Sequence, residues 1–271
     1  MSIHLEFKKI TTETFKKMKV SGEKISMLTA YDYTMASLAD EAGIDAILVG
    51  DSAANVMAGY ETTLPITLDQ MIYHAQCVSR GIKRALLVVD LPFGTYQSDP
   101  LQAYHSAVRI MKETGASAIK MEGGIEIKDS IEAIVKAGIP VMGHLGLTPQ
   151  SIHQFGSFKL RAKEDAEANK LISDAKLLEE IGCFSLVLEK IPAQLAEKVT
   201  NELDIITIGI GAGNVTDGQV LVIHDLLGLN KNFKPKFARK YLHLHEQIVE
   251  AVSNYVQDIK SKEFPSKEES F

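Results

Sequence analysis

Eight short apolar runs, rich in β-branched residues and each followed by a loop and an amphipathic stretch, constrain this 271-residue chain more than any other feature. They are ISMLTAYD (25–32), AILVGDS (46–52), ALLVVDLPF (85–93), AIKMEGG (118–124), VMGHLGL (141–147), FSLVLEKI (184–191), IITIGIGAG (205–213) and, more weakly, VLVIHDLLG (220–228). A strand with one wet face alternates apolar and polar residues. Near-continuous apolar runs of this length belong to strands buried on both faces, as in a parallel sheet.

Segments of helical period lie between the runs. TLDQMIYHAQCVSRG (67–81) opens on Thr67, whose hydroxyl suits an N-cap, and ends at Gly81. PLQAYHSAVRIMKETG (100–115) has Asp99 as N-cap, Pro100 in the first turn and Gly115 as terminator. SIEAIVKAG (130–138) and DAEANKLISDAKLLEEIG (165–182) also close on glycine. Alternating strand and helix signals imply parallel βα units. Eight of them, about 34 residues each, fit a (β/α)8 TIM barrel forming a single domain over 1–271. A doubly wound open sheet is the alternative that the pattern leaves open. The closing SKEFPSKEESF (261–271) is polar and charged and reads as a mobile or lightly docked tail.

Charge and cysteine usage narrow the function classes. Lys and Arg number 29 against 35 Asp and Glu, a net charge of −6 without basic blocks, which argues against nucleic-acid partners. Cys77 and Cys183 stand far apart outside any CxxC spacing, so neither a disulfide framework nor a zinc site is implied. No stretch approaches the ~18 uncharged apolar residues of a membrane span. The stretch MSIHLEFKKITTETFKKMKV (1–20) has no signal-peptide core. A soluble cytoplasmic protein is expected.

In a barrel of this kind the chemistry sits at the C-terminal ends of the strands. Those ends here carry Asp51 with Ser52, Asp90, Lys120 with Glu122, His144 and Glu189. A charged group beside an apolar run is costly unless it is paired, metal-bound or facing a wet cavity. One such residue suggests a structural ion pair; ionisable groups on five strands at one level suggest a site. Asp51, Asp90 and Glu122 are hard oxygen donors on neighbouring strands, which favours Mg²⁺ or a similar ion. Lys120 and Glu122 are two apart and share a face. Lys120 can hold a substrate carboxylate, form a Schiff base, or serve only as counter-ion to Glu122. Glu189, in SLVLEK, has the most apolar surroundings of the four acids, and burial there would fit it for general-base work. His144 can act as acid, base or hydrogen-bond donor. His74, His105, His153, His224, His243 and His245 read as surface or packing residues. GIGAG (209–213) is either room for substrate or a phosphate-binding turn, and lacks the full dinucleotide spacing.

Several ordered motifs, GDS (50–52), TLPITLDQMIYH (63–74), DLPFGTYQ (90–97), KMEGG (120–124), GHLGLTPQS (143–151), LVLEKIP (186–192), IGIGAG (208–213) and DGQVLVIHDLLGL (217–229), resemble the ketopantoate hydroxymethyltransferase family across nearly the whole chain. Thr216 and Tyr60 depart from that family's pattern, where Cys and often His stand. The resemblance implies a Mg²⁺-dependent TIM barrel in which Asp51 and Asp90 bind the metal and Glu122 completes the site directly or through water. It implies that Asp51, Ser52, Asp90, Lys120 and His144 meet the substrate, with Ser52 and Lys120 on its carboxylate, and that Glu189 accepts the proton. The implied reaction moves a hydroxymethyl group from 5,10-methylenetetrahydrofolate to 3-methyl-2-oxobutanoate through a Mg²⁺-stabilised enolate, giving 2-dehydropantoate for pantothenate and coenzyme A synthesis. A homo-oligomer, commonly a decamer, is implied as well. The competing readings are a Mg²⁺-enolate barrel of the isocitrate lyase type, a Schiff-base aldolase built on Lys120, and a non-catalytic binding barrel.

Overall fold

In the computed structural model, which describes residues 8–231 and 235–271, the apolar runs fold as eight parallel strands closed into a barrel in sequence order. The strands are β1 (Ile25–Thr29), β2 (Ala46–Val49), β3 (Leu86–Asp90), β4 (Ala118–Glu122), β5 (Val141–Gly146), β6 (Ser185–Glu189), β7 (Ile206–Ile210) and β8 (Gly218–Leu221). Every residue of β2, β3 and β4 is buried, as two-sided burial of a parallel sheet requires. Residues 1–7 of the N-terminal stretch read from the sequence lie outside the described residues.

The helices follow in order as α1 (Thr12–Ser21) before the barrel, α2 (Tyr33–Glu41), α3 (Ala53–Val56), α4 (Leu68–Gly81), α5 (Pro100–Thr114), α6 (Lys128–Lys136), α7 (Ile152–Phe155), α8 (Asp165–Ile181) and α9 (Ala193–Glu202). Their ends are set as the sequence predicts. Thr67 and Gln70 form a reciprocal capping box at the start of α4. Asp99 accepts from the Leu101 N–H ahead of α5, and Gly115 ends that helix in the left-handed region at φ 74°. Gly81 acts differently: it is the last residue of α4, and a Cβ there would meet the Tyr33 carbonyl at 2.6 Å, so glycine lets α4 pack closely on α2.

Two departures from eight regular βα units stand out. No helix separates β7 from β8 among the described residues. The stagger explains this: Gly218 pairs with Ile208, only two residues short of the end of β7, so the chain has little distance to recover. The eighth strand also begins earlier than the run at 220–228 implies, and IHDL turns into α10 (Ile223–Leu226). Its start is fixed by Gly218, where a Cβ would meet the Ile25 carbonyl at 2.6 Å as the strands close.

Helix α1 plugs the N-terminal end of the barrel, burying Phe15 and Met18 against Ile25, Met27, Ala46, Leu86 and Val220. Lys19 fastens it through Asp217 at 3.0 Å and the Ile205 carbonyl at 2.6 Å. With that end filled, the opposite mouth is left for chemistry. The chain divides into two compact units, the barrel unit to Val222 and a second unit, Ile223–Phe271. The second contains α10 and α11 (Leu244–Ser261), joined by Tyr241 N–H to Leu226 O and Leu244 N–H to Leu227 O. Among the described residues no helix is long and apolar enough to cross a membrane.

Candidate active site

Strand register brings the ionisable residues together in layers. Asp90 on β3 lies opposite Lys120 on β4, and Glu122 lies opposite His144 on β5. Gly146, at the end of β5, lies opposite Glu189 at the end of β6. Two-residue periodicity turns Lys120 and Glu122 to the same side. Lys120 Nζ bonds Asp90 Oδ1 at 2.6 Å and lies 3.8 Å from Glu122 Oε1. His144 Nδ1 is 3.1 Å from Glu122 Oε1, and its Nε2 is 3.3 Å from Glu189 Oε2, near but poorly aligned for a hydrogen bond. Asp51 follows β2, and its N–H donates to Asp90 Oδ2 at 3.0 Å. Gly50 permits this approach, since a Cβ there would meet Ser52 Oγ at 2.8 Å. Ser52 Oγ pairs with Tyr31 Oη at 2.8 Å.

All the residues picked from the strand ends therefore face one mouth, and the structure sorts them by burial. Asp51, Asp90, Lys120, Glu122 and His144 are buried. Glu189 is the least buried of the acids, with 16% of its side chain exposed, contrary to the expectation of the most apolar surroundings. It is the last residue of β6, so its side chain emerges where the barrel opens. Lys190 leaves the strand at φ 46° and bonds the Phe158 carbonyl.

The electrostatics follow from crowding. Burial, reinforced by Glu122 and Asp90, pushes the Asp51 carboxyl up to about 8. Burial also raises Asp90, against the pull of Lys120. Burial would raise Glu122, but His144 and Lys120 hold it below the usual carboxylate range. Burial and Lys120 work against a charged His144, yet Glu122 and Glu189 prevail and lift it to about 9. Burial would likewise lower Lys120, but Asp90, Glu122 and Asp51 outweigh it and keep the ammonium charged. A Schiff-base lysine needs a depressed pKa, so Lys120 is a poor nucleophile and a good fixed cation.

Gln150, Tyr96 and Tyr31 belong to the site and were not singled out from the sequence. Gln150 is buried in the loop after β5; its Nε2 donates to Asp51 Oδ2 and the Leu91 carbonyl, both at 3.0 Å. Its backbone N–H donates to Glu122 Oε2 at 2.9 Å. Tyr96 Oη bonds Gln150 Oε1 at 2.8 Å and accepts from the Glu122 N–H at 3.0 Å. One neutral side chain and one phenol thus tie together the acids of β2 and β4.

Among the described residues no group of three or more His, Cys, Asp or Glu is placed to hold an ion by itself. Mg²⁺ needs no such cage, because it keeps waters and takes one or two carboxylates plus substrate oxygens. Asp51 and Asp90, raised by burial beside other acids, are hard donors short of positive charge, and they fit. The Glu122 oxygens are engaged by His144 and Gln150, and the Asp90 oxygens by Lys120 and the Asp51 N–H, so an ion would share or displace these contacts.

Two glycines of GIGAG also have a packing role. A Cβ at Gly209 would meet Thr216 Oγ1 at 2.7 Å, and one at Gly213 would meet Ala193 Cβ at 2.6 Å, so these glycines serve close packing within the wall. Thr216, one of the two departures from the family pattern, is buried there and donates to the Gly218 carbonyl at 2.7 Å. Tyr60, the other, is exposed. His74 packs inward, 2.8 Å from the Tyr31 carbonyl.

Comparison with known proteins gives a consistent picture. Residues 9–267 match the family described as ketopantoate hydroxymethyltransferase. The 3-methyl-2-oxobutanoate hydroxymethyltransferases of Flavobacterium johnsoniae and Cytophaga hutchinsonii are 64% and 65% identical over 266 residues, covering 98% of this chain and of each relative. Among solved structures, phosphoenolpyruvate phosphomutase from Streptomyces platensis subsp. rosaceus aligns with a TM-score of 0.63 at 13% identity, over 93% of this chain and 88% of that one. Phosphonopyruvate hydrolase in complex with oxalate and Mg²⁺ aligns at 0.62 and 11%, over 95% and 92%. At such identities the structures share the fold alone.

Proposed function

The chain belongs to the ketopantoate hydroxymethyltransferase family and is a hydroxymethyl-transferring enzyme, and from that premise we propose that it converts 3-methyl-2-oxobutanoate, 5,10-methylenetetrahydrofolate and water to 2-dehydropantoate and tetrahydrofolate. This is a step toward pantothenate and coenzyme A. The observation that carries the reading is the convergence of Asp51, Asp90, Lys120, Glu122, His144 and Glu189 at the ends of consecutive strands, each in contact with another of the set or its bridging glutamine.

The residues divide the work as follows. Lys120, held charged by its acids, and Ser52 grip the substrate carboxylate and orient the 2-oxo acid. Asp51 and Asp90 would hold Mg²⁺, with Glu122 beside them. When bound, Mg²⁺ supplies Lewis-acid polarisation of the keto group and stabilises charge on the enolate oxygen. Glu189, at the open edge of the mouth, takes the C3 proton on a carboxylate oxygen. His144 stands between Glu122 and Glu189 and fixes the direction of the base while contacting the substrate. Water opens the donor's methylene bridge to release tetrahydrofolate and a formaldehyde-level one-carbon unit, and the C3 carbon bonds that unit's carbonyl carbon, whose oxygen takes up a proton and becomes the hydroxyl.

The same reading takes 1–271 as one catalytic domain, because the family match spans both units of the chain. It also takes the protein as cytoplasmic and as a homo-oligomer, decameric by family resemblance. The test is a coupled assay of 2-dehydropantoate formation with and without chelator. Turnover abolished by chelation and restored by Mg²⁺ supports the reading; absence of turnover with both substrates and Mg²⁺ present would overturn it.

A further inference from the structure

Glu122 and Gln150 border a much larger space. A cavity of about 870 Å³ runs from Glu122 and Gln150 along the loops after β3, β4 and β5. Cavities of this size hold drug-sized ligands, and a five-carbon 2-oxo acid leaves most of it empty. Two aromatic rings, Phe93 and Phe155, are among its lining residues. Phe155 ends α7, and the Arg161 guanidinium lies over its ring at 3.9 Å from the centroid. Phe93, also on the wall, is about half exposed. The loop bearing Arg161 is pinned from the neighbouring strand, with the Arg161 N–H donating to the Lys190 carbonyl at 2.8 Å.

The wall's cations are already matched. Arg161 pairs with Glu167, and Lys170 pairs with Asp174 and with Glu126 at 2.9 Å. Anionic groups therefore find little attraction here, while a flat heteroaromatic ring finds a stacking plate. The Arg161 Nε–H is buried and has no acceptor among the described residues.

We propose that this cavity is the docking site of the one-carbon donor, its pteridine ring stacked on the Phe155–Arg161 platform and its glutamate carboxylates directed outward to solvent. The inference rests on the reading of the donor as 5,10-methylenetetrahydrofolate. The placement brings the donor in beside Glu122 and Gly146, the residue paired with Glu189 across β5 and β6, so the one-carbon unit arrives next to the 2-oxo acid.

The two substrates can be tested separately. Exchange of the C3 proton of 3-methyl-2-oxobutanoate with deuterated water needs the 2-oxo acid, Mg²⁺ and the base, but no donor. Phe155→Ala is expected to raise the KM for methylenetetrahydrofolate and the Kd for tetrahydrofolate, measured by calorimetry, by about tenfold or more, the size of a lost aromatic stack. Exchange should persist within about twofold, since 1.4 kcal/mol, a tenfold change, is far more than a remote packing change transmits to it. Phe155→Tyr, which keeps the plate, should restore donor binding. Unchanged donor KM and Kd in Phe155→Ala overturns the proposal, as does loss of exchange alongside donor binding or failure of Phe155→Tyr to rescue. Wild-type enzyme that turns over without methylenetetrahydrofolate would instead defeat the donor assignment on which the proposal rests.

Discussion

Replacing Gln150 with leucine is the sharpest test of how the site is held together. Leucine keeps most of the volume and leaves the backbone N–H that bonds Glu122 Oε2. It removes a carboxamide whose Nε2 serves two buried acceptors, Asp51 Oδ2 and the Leu91 carbonyl. Tyr96 Oη retains the Glu122 carbonyl at 3.2 Å, and Gln97, being half-buried, can turn to water. Two buried acceptors are thus orphaned, each costing about 1–3 kcal/mol. The sum, about 2–6 kcal/mol, corresponds to a fall in thermal midpoint of roughly 4–24 °C for a domain of this size. The measurement is calorimetry of both proteins without metal at equal concentration, since any self-association makes the midpoint concentration-dependent. Gln97→Leu is the control and should stay within about 1–2 °C, as a half-exposed substitution does. A midpoint for Gln150→Leu within about 2 °C of wild type would refute the claim that this side chain bridges β2 and the loops.

Further outcomes follow from the same contacts. Glu189→Gln should abolish C3 proton exchange while Mg²⁺-dependent binding of the 2-oxo acid, followed by calorimetry, survives; undiminished exchange removes Glu189 from the role of base. Lys120→Met leaves Asp90 buried without its cation, and loss of one partner of such a pair costs about 3–5 kcal/mol, visible as a lower thermal midpoint together with lost substrate binding. Borohydride with substrate should leave no adduct on Lys120 of the wild type, checked by peptide mass spectrometry. Burial pushes the Cys183 thiol up to about 12, against about 8.5 in the unfolded chain. The unfolded state therefore loses its proton first, so this group costs nothing below about pH 8.5 and lowers stability as pH climbs from there toward 12. At pH 8, iodoacetamide should modify half-buried Cys77 alone in native protein and both thiols in urea.

The barrel was legible because its physics is repetitive. Two-sided burial writes itself as continuous apolar runs, and helix ends write themselves as Thr67, Asp99, Gly115 and Gly182, each filling a role that few residues can fill. The start of β8 was not legible, because it depends on pairing with strands on both sides. Gly218 is required by the Ile25 carbonyl, nearly two hundred positions away, and nothing local in DGQVLV announces that. The packing role of Gly209 and Gly213 in GIGAG was hidden for the same reason, since it depends on Thr216 and Ala193.

The site divides along a similar line. A charge at the end of an apolar run is conspicuous, since burying it demands compensation, and so every acid, Lys120 and His144 could be picked out in advance. Gln150 and Tyr96 carry no charge, sit in loops, and look in sequence like ordinary turn residues; only their burial among carboxylates reveals them. Their neutrality is also their use. Four carboxylates already face one lysine and one imidazolium, and a bridging Asp or Glu would deepen the excess of negative charge that raises Asp51 and Asp90. A bridging Lys or Arg would remove it and with it the attraction for a divalent cation. A carboxamide can donate to Asp51 and accept from Tyr96 while leaving that excess intact. An amide at position 150 thus fixes the direction of the acids without neutralising them. Gln150→Glu should accordingly disturb the site electrostatically where Gln150→Leu disturbs it by leaving groups unpaired, and the two variants should part company in their Mg²⁺ titrations.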